Sequence, residues 1–277
     1  MHTQAIVRRR LRKVKVHRKQ YALGLGFILS LAVIFILWRS PDFLEETQTE
    51  VKFFQISTGP TGSAYYTVGR QIASAISRPP GAESCESGGP CGVDGVLAIG
   101  KASHGSVANA RGVDSGRVQS ALIQSDIANW AYSGKEMFKR EGSLKNLRAI
   151  ASLYPEAIHL VAELGSDIAS PADLRGKRVA IDRVGSGTNA IARKLLNSYG
   201  MNRFQLKLLE VEPSRAADMI LRGELDAFFS VSGTPSPIIQ DLFSKGNVKL
   251  VPIEGKNIEL LLKKNPFLKK VTISDAY

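Results

Sequence analysis

Three turns of small polar residues have the composition to bind a small molecule through backbone and hydroxyl donors. They are the segments 57–63 (STGPTGS), 124–126 (QSD) and 185–188 (GSGT). Each follows a short apolar run and precedes an amphipathic stretch, so each is predicted to join a strand to a helix. The first N–H groups of a helix have no intrahelical partner, and glycine lets a ligand approach the backbone closely. These turns therefore predict the binding of an anion or another polar solute.

Catalytic and cofactor motifs do not match the sequence. It contains no G-x-G-x-x-G, no G-x-x-x-x-G-K-[ST], no G-x-S-x-G and no H-E-x-x-H. Capping or packing is the expected role of His104 and His159, and Asp126 is expected to cap a helix. A purely structural interpretation of the 185–188 turn also stays open, as a tight connection with Thr188 as the N-cap. No catalytic residue, cofactor or metal site is predicted.

Alternating strands and helices must position these turns. From Val51 onward, short apolar runs alternate with amphipathic stretches, which predicts an α/β fold. The segment 147–164 (LRAIASLYPEAIHLVAEL) instead predicts two nearly consecutive strands interrupted at 154–156, where we expect the chain to cross between two lobes. Lobe 1 is thus assigned to 51–153 and lobe 2 mainly to 154–277, with a last strand at 271–273.

The net charge of +12 is concentrated at the N-terminus. Residues 1–20 contain eight Lys and Arg and no acid, which leaves +4 for the other 257 residues. A nucleic-acid-binding groove through the fold therefore has little support, and no nucleic-acid partner is predicted.

The apolar segment 21–38 (YALGLGFILSLAVIFILW) predicts a single transmembrane helix. Its length of about 27 Å as a helix is close to the bilayer hydrocarbon core of about 30 Å. The basic residues before it place 1–20 in the cytoplasm and the residues after 40 in the periplasm. An uncleaved anchor in a bacterial inner membrane is favoured over a cleaved signal peptide, because the run is long and no small-x-small site follows it. Residues 39–50 are then a polar tether.

Cys85 and Cys91 lie in a loop rich in glycine and proline, GAESCESGGPCGVDG. In an oxidising periplasm, this spacing is compatible with a small disulfide loop. Two free thiols remain the alternative, because sequence alone does not establish a bridge. A metal site would need about four ligands, and no histidine accompanies the pair.

Four motifs, in this order along the chain, resemble the TAXI family of TRAP-transporter solute receptors. They lie in 56–73 (ISTGPTGSAYYTVGRQIA), 102–134 (ASHGSVANA to NWAYSG), 147–161 and 170–188 (SPADLRGKRVAIDRVGSGT). The resemblance implies a two-lobed periplasmic-binding-protein-like fold of type II, which closes on a small anionic organic solute such as a dicarboxylate or a glutamate-like amino acid. It also implies that the solute is passed to a TRAP-type membrane permease driven by an ion gradient.

The resemblance places the solute-binding residues in strand-to-helix turns and first helical turns of both lobes. The positions that match are Thr58, Thr61, Gly62, Tyr65, Asn109, Gln124, Ser125, Ser186, Gly187 and Thr188. Donors on both lobes would explain closure, because only a closed state lets both sets contact one ligand. Arg183 precedes the 185–188 turn and is expected to be a solvated side chain.

Two departures from the family pattern bear on these implications. Pro60 stands in the first turn where a small residue, often glycine, is expected, which alters the backbone contact predicted there. The family also continues beyond the position of 271–277, so the C-terminal part of lobe 1 is expected to be missing from this sequence.

The leading hypothesis from the sequence is a membrane-tethered receptor for a small anionic solute, without enzymatic activity. A ligand-sensing module with the same fold is an alternative, which a neighbouring kinase gene rather than a permease gene would favour. An enzyme on the same scaffold is a third class, and its acid or base would be Asp126, Glu156 or His159.

Overall fold

The computed structural model describes residues 27–36, 38, 50–202, 204–246, 248–273 and 277. The chain divides into two compact units, 1–50 and 51–277. In the first unit, residues 27–36 and 38 are helical and exposed. No helix within the described ranges is long and apolar enough to cross a membrane. The predicted cytoplasmic segment 1–20, part of the predicted anchor 21–38 and nearly all of the tether lie outside the described residues.

Two five-stranded sheets form the unit 51–277, and the predicted two-lobed α/β fold is confirmed. The first sheet has the order β3-β2-β4-β1-β5, and its strands are β1 (Lys52–Ser57), β2 (Ser77–Arg78), β3 (Val93–Asp94), β4 (Val96–Lys101) and β5 (Ser120–Ala121). The second sheet has the order β10-β6-β9-β7-β8, and its strands are β6 (Ala157–Glu163), β7 (Arg178–Ala180), β8 (Lys207–Leu209), β9 (Ala227–Ser232) and β10 (Val248–Leu250).

Helices follow most of these strands, as the alternating sequence pattern predicts. They are α1 (Ala64–Ile76), α2 (Ser106–Asp114), α3 (Ser125–Ser133), α4 (Gly187–Ser198), α5 (Pro213–Leu221), α6 (Pro237–Lys245) and α7 (Lys256–Lys264). Short 3-10 turns lie at Cys85–Ser87, Glu136–Phe138 and Pro171–Leu174.

Helix α1 covers one face of the first sheet because its apolar residues recur at helical spacing. Ala73 of α1 is buried against Ile56 of β1 and Ala98 of β4. Strand β1 runs parallel to both of its neighbours, β4 and β5. A Cβ at Gly69 would collide with the Thr58 side chain, so glycine at this position permits the close approach of α1 to the sheet. The carboxyl ends of these parallel strands therefore meet at one edge of lobe 1.

The second sheet is buried on both faces. Alternate residues of β6 enter different apolar clusters: Leu160 packs with Val179 and Leu195, whereas Val161 packs on the opposite face with Phe228. Strand β6 runs antiparallel to β9, and β7 lies parallel to β8 and β9. Burial on two sides explains why these strands appear in the sequence as short continuous apolar runs.

Two predicted strands are wrong. The segment 147–153 lies in neither sheet, and its Ile150 side chain is 84% exposed. Residues 271–273 also lack strand structure. An apolar run becomes a strand only where a neighbouring strand supplies hydrogen bonds, and no described strand lies beside either segment. The lobe boundary assigned between residues 153 and 154 stays a prediction.

Candidate functional site

A cavity of about 160 Å³ lies between the two lobes. Residues at the N-termini of helices α1 to α6 line it: Tyr65, Ser106, Gln124, Gly187, Pro213 and Pro237. This convergence follows from topology, because the carboxyl ends of parallel strands lead into helices at the same edge of each sheet. Six helix N-termini, which carry partial positive charge, thus contribute residues to the lining of one cavity.

The turn before α1 is fixed by its own side chains. The Ser63 hydroxyl accepts a hydrogen bond from the Tyr66 backbone N–H at 3.3 Å and donates one to the Pro60 carbonyl at 2.7 Å. Ser63 is therefore the N-cap of α1. Thr61 and Gly62 are exposed on the cavity side of this turn. Pro60 lies within a hydrogen-bonded turn, so its presence is compatible with the local structure.

The 185–188 turn is both a structural cap and a wall of the cavity. The Ser186 hydroxyl accepts a hydrogen bond from the Asn189 N–H at 2.9 Å, so Ser186 caps α4. The predicted alternative with Thr188 as N-cap is wrong, since Thr188 lies one residue inside the helix. Its hydroxyl instead accepts from the Val231 N–H of β9 at 3.2 Å. Gly185 has φ +98°, a conformation that favours glycine.

The two lobes contact each other directly beside the cavity. The Gly185 carbonyl accepts hydrogen bonds from the N–H groups of Val107 and Ala108 at the start of α2, both at 3.0 Å. A Cβ at Gly187 would collide with the Gln124 side-chain amide, so glycine permits this close approach without displacing Gln124. Ile191 of α4 is buried in the apolar cluster formed by α2 and α3. The two lobes are therefore in direct contact in the described conformation.

Three acidic residues line the cavity: Glu156, Asp182 and Glu212. Glu156 lies immediately before β6, and its Oε2 accepts a hydrogen bond from the Tyr65 hydroxyl at 3.0 Å. Burial raises the pKa of Glu156 to about 7; the charge of Asp126 adds to this rise, and hydrogen bonds from Tyr65 and Gln124 oppose it. Burial, followed by the charge of Glu156, also raises the pKa of Tyr65 far above its ordinary value.

Asp182 has a strained backbone at the edge of the cavity. Its φ is +68°, in the left-handed region that aspartate tolerates better than most residues. Its Oδ1 accepts from the Arg183 N–H at 2.7 Å, and its carbonyl accepts from the Asn189 amide at 2.8 Å. Burial is the main reason that the Asp182 pKa is raised. The Arg183 guanidinium, half exposed as expected, lies 3.3 Å from a Glu212 carboxylate oxygen.

Seven of the ten residues predicted to bind solute line the cavity: Thr61, Gly62, Tyr65, Gln124, Ser186, Gly187 and Thr188. Thr58, Asn109 and Ser125 do not. The Thr58 hydroxyl is buried and donates to the Lys101 carbonyl at 2.8 Å. Ser125 is exposed outside the cavity, where it starts α3 after the N-cap residue Gln124.

Asn109 has a structural role beneath the site. Its side chain is fully buried and donates to the Thr58 and Leu122 carbonyls at 2.6 and 2.7 Å. Its Oδ1 accepts from the Ser57 hydroxyl at 2.7 Å. Asn109 therefore ties the ends of β1 and β5 to α2, and its donors are not directed at a solute.

Sequence reasoning missed the wall formed by β9 and the acidic residues. Ser230, Ser232 and Ser236 line the cavity, as do Asp182 and Glu212. The segment after β9 (SGTPSP) has the same composition as the three turns already identified, and it leads into α6 with Pro237 in the first turn. The composition of this segment could therefore have identified it in the sequence as a fourth candidate binding turn. The sequence contains no local signal for the acids, which are brought to the cavity only by the packing of the lobes.

Other candidate residues lie elsewhere. Cys85 and Cys91 form a disulfide. His159 is buried in β6, with its Nε2 2.8 Å from the Tyr277 hydroxyl, and burial lowers its pKa. Asp126 is buried in the first turn of α3, and burial raises its pKa. Within the described residues, no group of three His, Cys, Asp or Glu side chains is placed to hold a metal ion.

Comparisons with known proteins match most of the unit 51–277. Residues 56–277 match the NMT1-like family. Among solved structures, the periplasmic aliphatic sulphonate binding protein SsuA from Escherichia coli is 14% identical with a TM-score of 0.42, over 72% of this chain and 56% of that chain. The alkanesulfonate-binding protein SsuA from Xanthomonas axonopodis pv. citri, bound to MOPS, is 15% identical with a TM-score of 0.46. The match covers 73% of this chain and 61% of that chain. This chain thus spans less than two thirds of either SsuA.

A third solved structure is an ancestral arginine-binding protein bound to arginine. It is 17% identical with a TM-score of 0.46, over 79% of this chain and 92% of that chain.

Proposed function

The chain belongs to the NMT1-like family, and we propose that it is an extracytoplasmic receptor that encloses a small organic solute between its two lobes. The observation that carries the proposal is the convergence of six helix N-termini on one cavity between the lobes. Such a cavity offers many N–H and hydroxyl donors, which suit the capture of a polar molecule. Closure around the solute would use the direct contact between Gly185 and the start of α2.

A solute carboxylate fits the first turns of α1 and α4. Ser63 and Ser186 cap these helices through the N–H groups of Tyr66 and Asn189. The first-turn N–H groups of Ala64 and Gly187 lie beside the cavity and have no intrahelical acceptor. One turn belongs to lobe 1 and the other to lobe 2, so a bound carboxylate would link the lobes. This supports a dicarboxylate or a glutamate-like amino acid as the class of solute.

Transport by a TRAP-type permease is the partner reaction that we propose. Its support is the set of motifs that resemble the TAXI receptors, which includes the turns at 57–63 and 185–188. The receptor would release its solute to the permease in the membrane and carry out no chemistry on it.

The basic segment 1–20 and the apolar segment 21–38 support attachment to the inner membrane with the solute-binding unit in the periplasm. Protease added to spheroplasts of bacteria that express the full chain should therefore digest residues 51–277. An epitope fused before residue 1 should remain protected. Digestion of the epitope while the 51–277 unit survives would contradict this orientation.

Isothermal titration calorimetry on the detergent-solubilised full chain tests solute binding. The panel comprises L-glutamate, 2-oxoglutarate, glutarate, succinate, L-alanine and pyruvate. At least one of these acids should bind with a dissociation constant below about 10 μM, with a matching rise in melting temperature. A folded chain that binds none of them would contradict the proposal.

Comparing alanine substitutions at Ser186 and Ser170 tests whether the solute binds at the 185–188 turn. Ser186→Ala removes the cap of α4 at the cavity and should weaken binding at least tenfold. Ser170→Ala is the control: Ser170 precedes the Pro171–Leu174 turn, its hydroxyl donates to the Asp173 carboxylate at 3.0 Å, and it does not line the cavity. Both variants should lose about 1 kcal/mol of stability. Equal affinities for the two variants would remove the 185–188 turn from the binding site.

A further inference from the structure

The charged side chains on the cavity wall are of one sign. Glu156, Asp182 and Glu212 line the cavity, and its lining includes no lysine or arginine among the described residues. Arg183 lies near the rim and is paired with Glu212. No described lysine or arginine forms an ion pair with Glu156 or Asp182 within 4 Å. A solute with only negative charges would leave these carboxylates without compensation.

Glu156 lies where a cationic group of the solute would reach it. It comes just before β6, faces the start of α1 and is held by the Tyr65 hydroxyl. Most of its surface is buried, and the charged groups that act on it are Asp126 and the ionisable Tyr65. Both of these partners are acids, so nothing in its surroundings supplies positive charge. A bound cation would favour the ionised form of Glu156 and replace its lost hydration.

Two unpartnered polar atoms belong to residues that line the cavity. Among the described residues, the buried side-chain oxygens without a hydrogen-bond partner are Gln124 Oε1, Tyr154 OH and Ser232 Oγ. Gln124 and Ser232 line the cavity. The Tyr154 ring lies next to Gly233, which also lines it. Buried polar atoms without partners are rare in folded proteins because each costs about 1–3 kcal/mol, so their position here indicates a ligand.

We propose that the cavity contains an ammonium subsite formed by Glu156, Gln124 and Ser232, and that the receptor therefore selects amino acids over oxo acids and dicarboxylic acids. A primary ammonium has three N–H donors and no acceptor. The Glu156 carboxylate, the Gln124 amide oxygen and the Ser232 hydroxyl are three acceptors among the residues that line the cavity. The subsite rests on the proposed function: the helix N-termini would bind the α-carboxylate, and these acceptors would bind the α-ammonium.

Pairs of acids that differ in the amino group test the subsite in the same calorimetric assay. L-Glutamate is compared with 2-oxoglutarate and glutarate, and L-alanine with pyruvate and propionate, all at pH 8. In whichever of these two sets shows binding, the amino acid should bind at least tenfold more tightly than the two acids that lack its amino group. Tighter binding of an oxo acid would overturn the ammonium subsite and leave the receptor function standing. Absence of binding by every acid would overturn both.

Two carboxylate variants separate the subsite from general electrostatics. Glu156→Gln should abolish most of the preference for the amino acid over its oxo partner. Glu141→Gln is the matched control, because Glu141 is exposed and pairs with Arg111 away from the cavity; it should retain the preference. An unchanged preference in a folded Glu156→Gln variant would overturn the role of Glu156. If that variant does not fold, the comparison of acids in the unsubstituted chain still decides the proposal.

The pH dependence of binding gives an independent readout. Burial raises the Glu156 pKa to about 7, so the carboxyl is mostly neutral at pH 6 and mostly ionised at pH 8. The affinity for the amino acid should therefore rise severalfold from pH 6 to pH 8, with a smaller rise in Glu156→Gln. Asp126, Tyr65 and Tyr154 face the same group, and the variant retains all three. Parallel pH profiles for the two proteins would contradict the proposal.

Discussion

At the scale of single residues, the site separates groups that bind from groups that hold the turns in place. Gln124 and Ser232 have unpartnered oxygens on the cavity wall. Asn109 matches a position that the resemblance to the TAXI receptors assigns to solute binding. Its amide oxygen and nitrogen instead form hydrogen bonds within lobe 1. A polar residue near a ligand-binding turn is therefore informative only when its partners are known.

Asn109→Ala should lower the stability of the protein. The substitution removes the donor to the Leu122 carbonyl and the acceptor of the Ser57 hydroxyl, whereas the Thr58 carbonyl keeps its hydrogen bond from the Ser103 hydroxyl. The expected loss is about 3 kcal/mol in the free energy of unfolding, measured by urea denaturation. Asn146→Ala is the control, because Asn146 is exposed and its amide bonds only the Asp114 carbonyl; it should cost less than about 0.5 kcal/mol. A similar small loss for both variants would show that Asn109 does not support the site.

At the scale of elements, the sequence predicted local features better than non-local ones. The 57–63 turn was correctly predicted to join a strand to a helix because its small polar residues, the preceding apolar run and the following amphipathic stretch lie within one stretch of chain. The strand predicted at 147–153 failed because pairing depends on a neighbouring strand. Glu156 was considered only as an acid or base, since its partner Tyr65 is 91 residues away in the sequence.

The contact between α2 and the 185–188 turn should hold the two lobes closed. A Cβ at Gly105 would lie 3.3 Å from the Ser186 Cα, and the φ of Gly105 is +106°. Gly105→Ala should therefore separate the turn from α2 and accelerate amide hydrogen exchange at Val107 and Ala108, whose N–H groups bond Gly185. Affinity for the solute should fall at the same time.

Gly116→Ala is the control for this prediction. Gly116 also has a positive φ, +71°, but a Cβ there would meet no atom within 4 Å. Gly116→Ala should lose about 1–2 kcal/mol of stability, and Gly105→Ala should lose more, because φ +106° with ψ −160° is a backbone region that almost only glycine occupies. Only Gly105→Ala should change the rate of amide hydrogen exchange at Val107 and Ala108. Equal exchange rates in the two variants would contradict a closure contact at the start of α2.

At the scale of the whole molecule, the net charge does not predict the charge of the site. Of the +12, eight charges lie in residues 1–20 of the sequence, outside the range 51–277. The charged side chains that line the cavity are acidic, although the sequence favoured an anionic solute. Both observations agree with a zwitterionic amino acid, whose carboxylate suits the helix N-termini and whose ammonium suits Glu156. Sequence patterns could place the turns, but only the packed lobes bring the acids beside them.

The most direct test of solute capture is a crystal structure of the chain grown with saturating L-glutamate, or with saturating L-alanine if that is the amino acid that binds in the calorimetric assay. The central claim predicts electron density for the amino acid in the cavity between the lobes, with its α-carboxylate at the first turns of α1 and α4. Its ammonium should lie within hydrogen-bond distance of Glu156. An empty cavity at saturating ligand, or glutamate bound only on the outer surface, would contradict the claim.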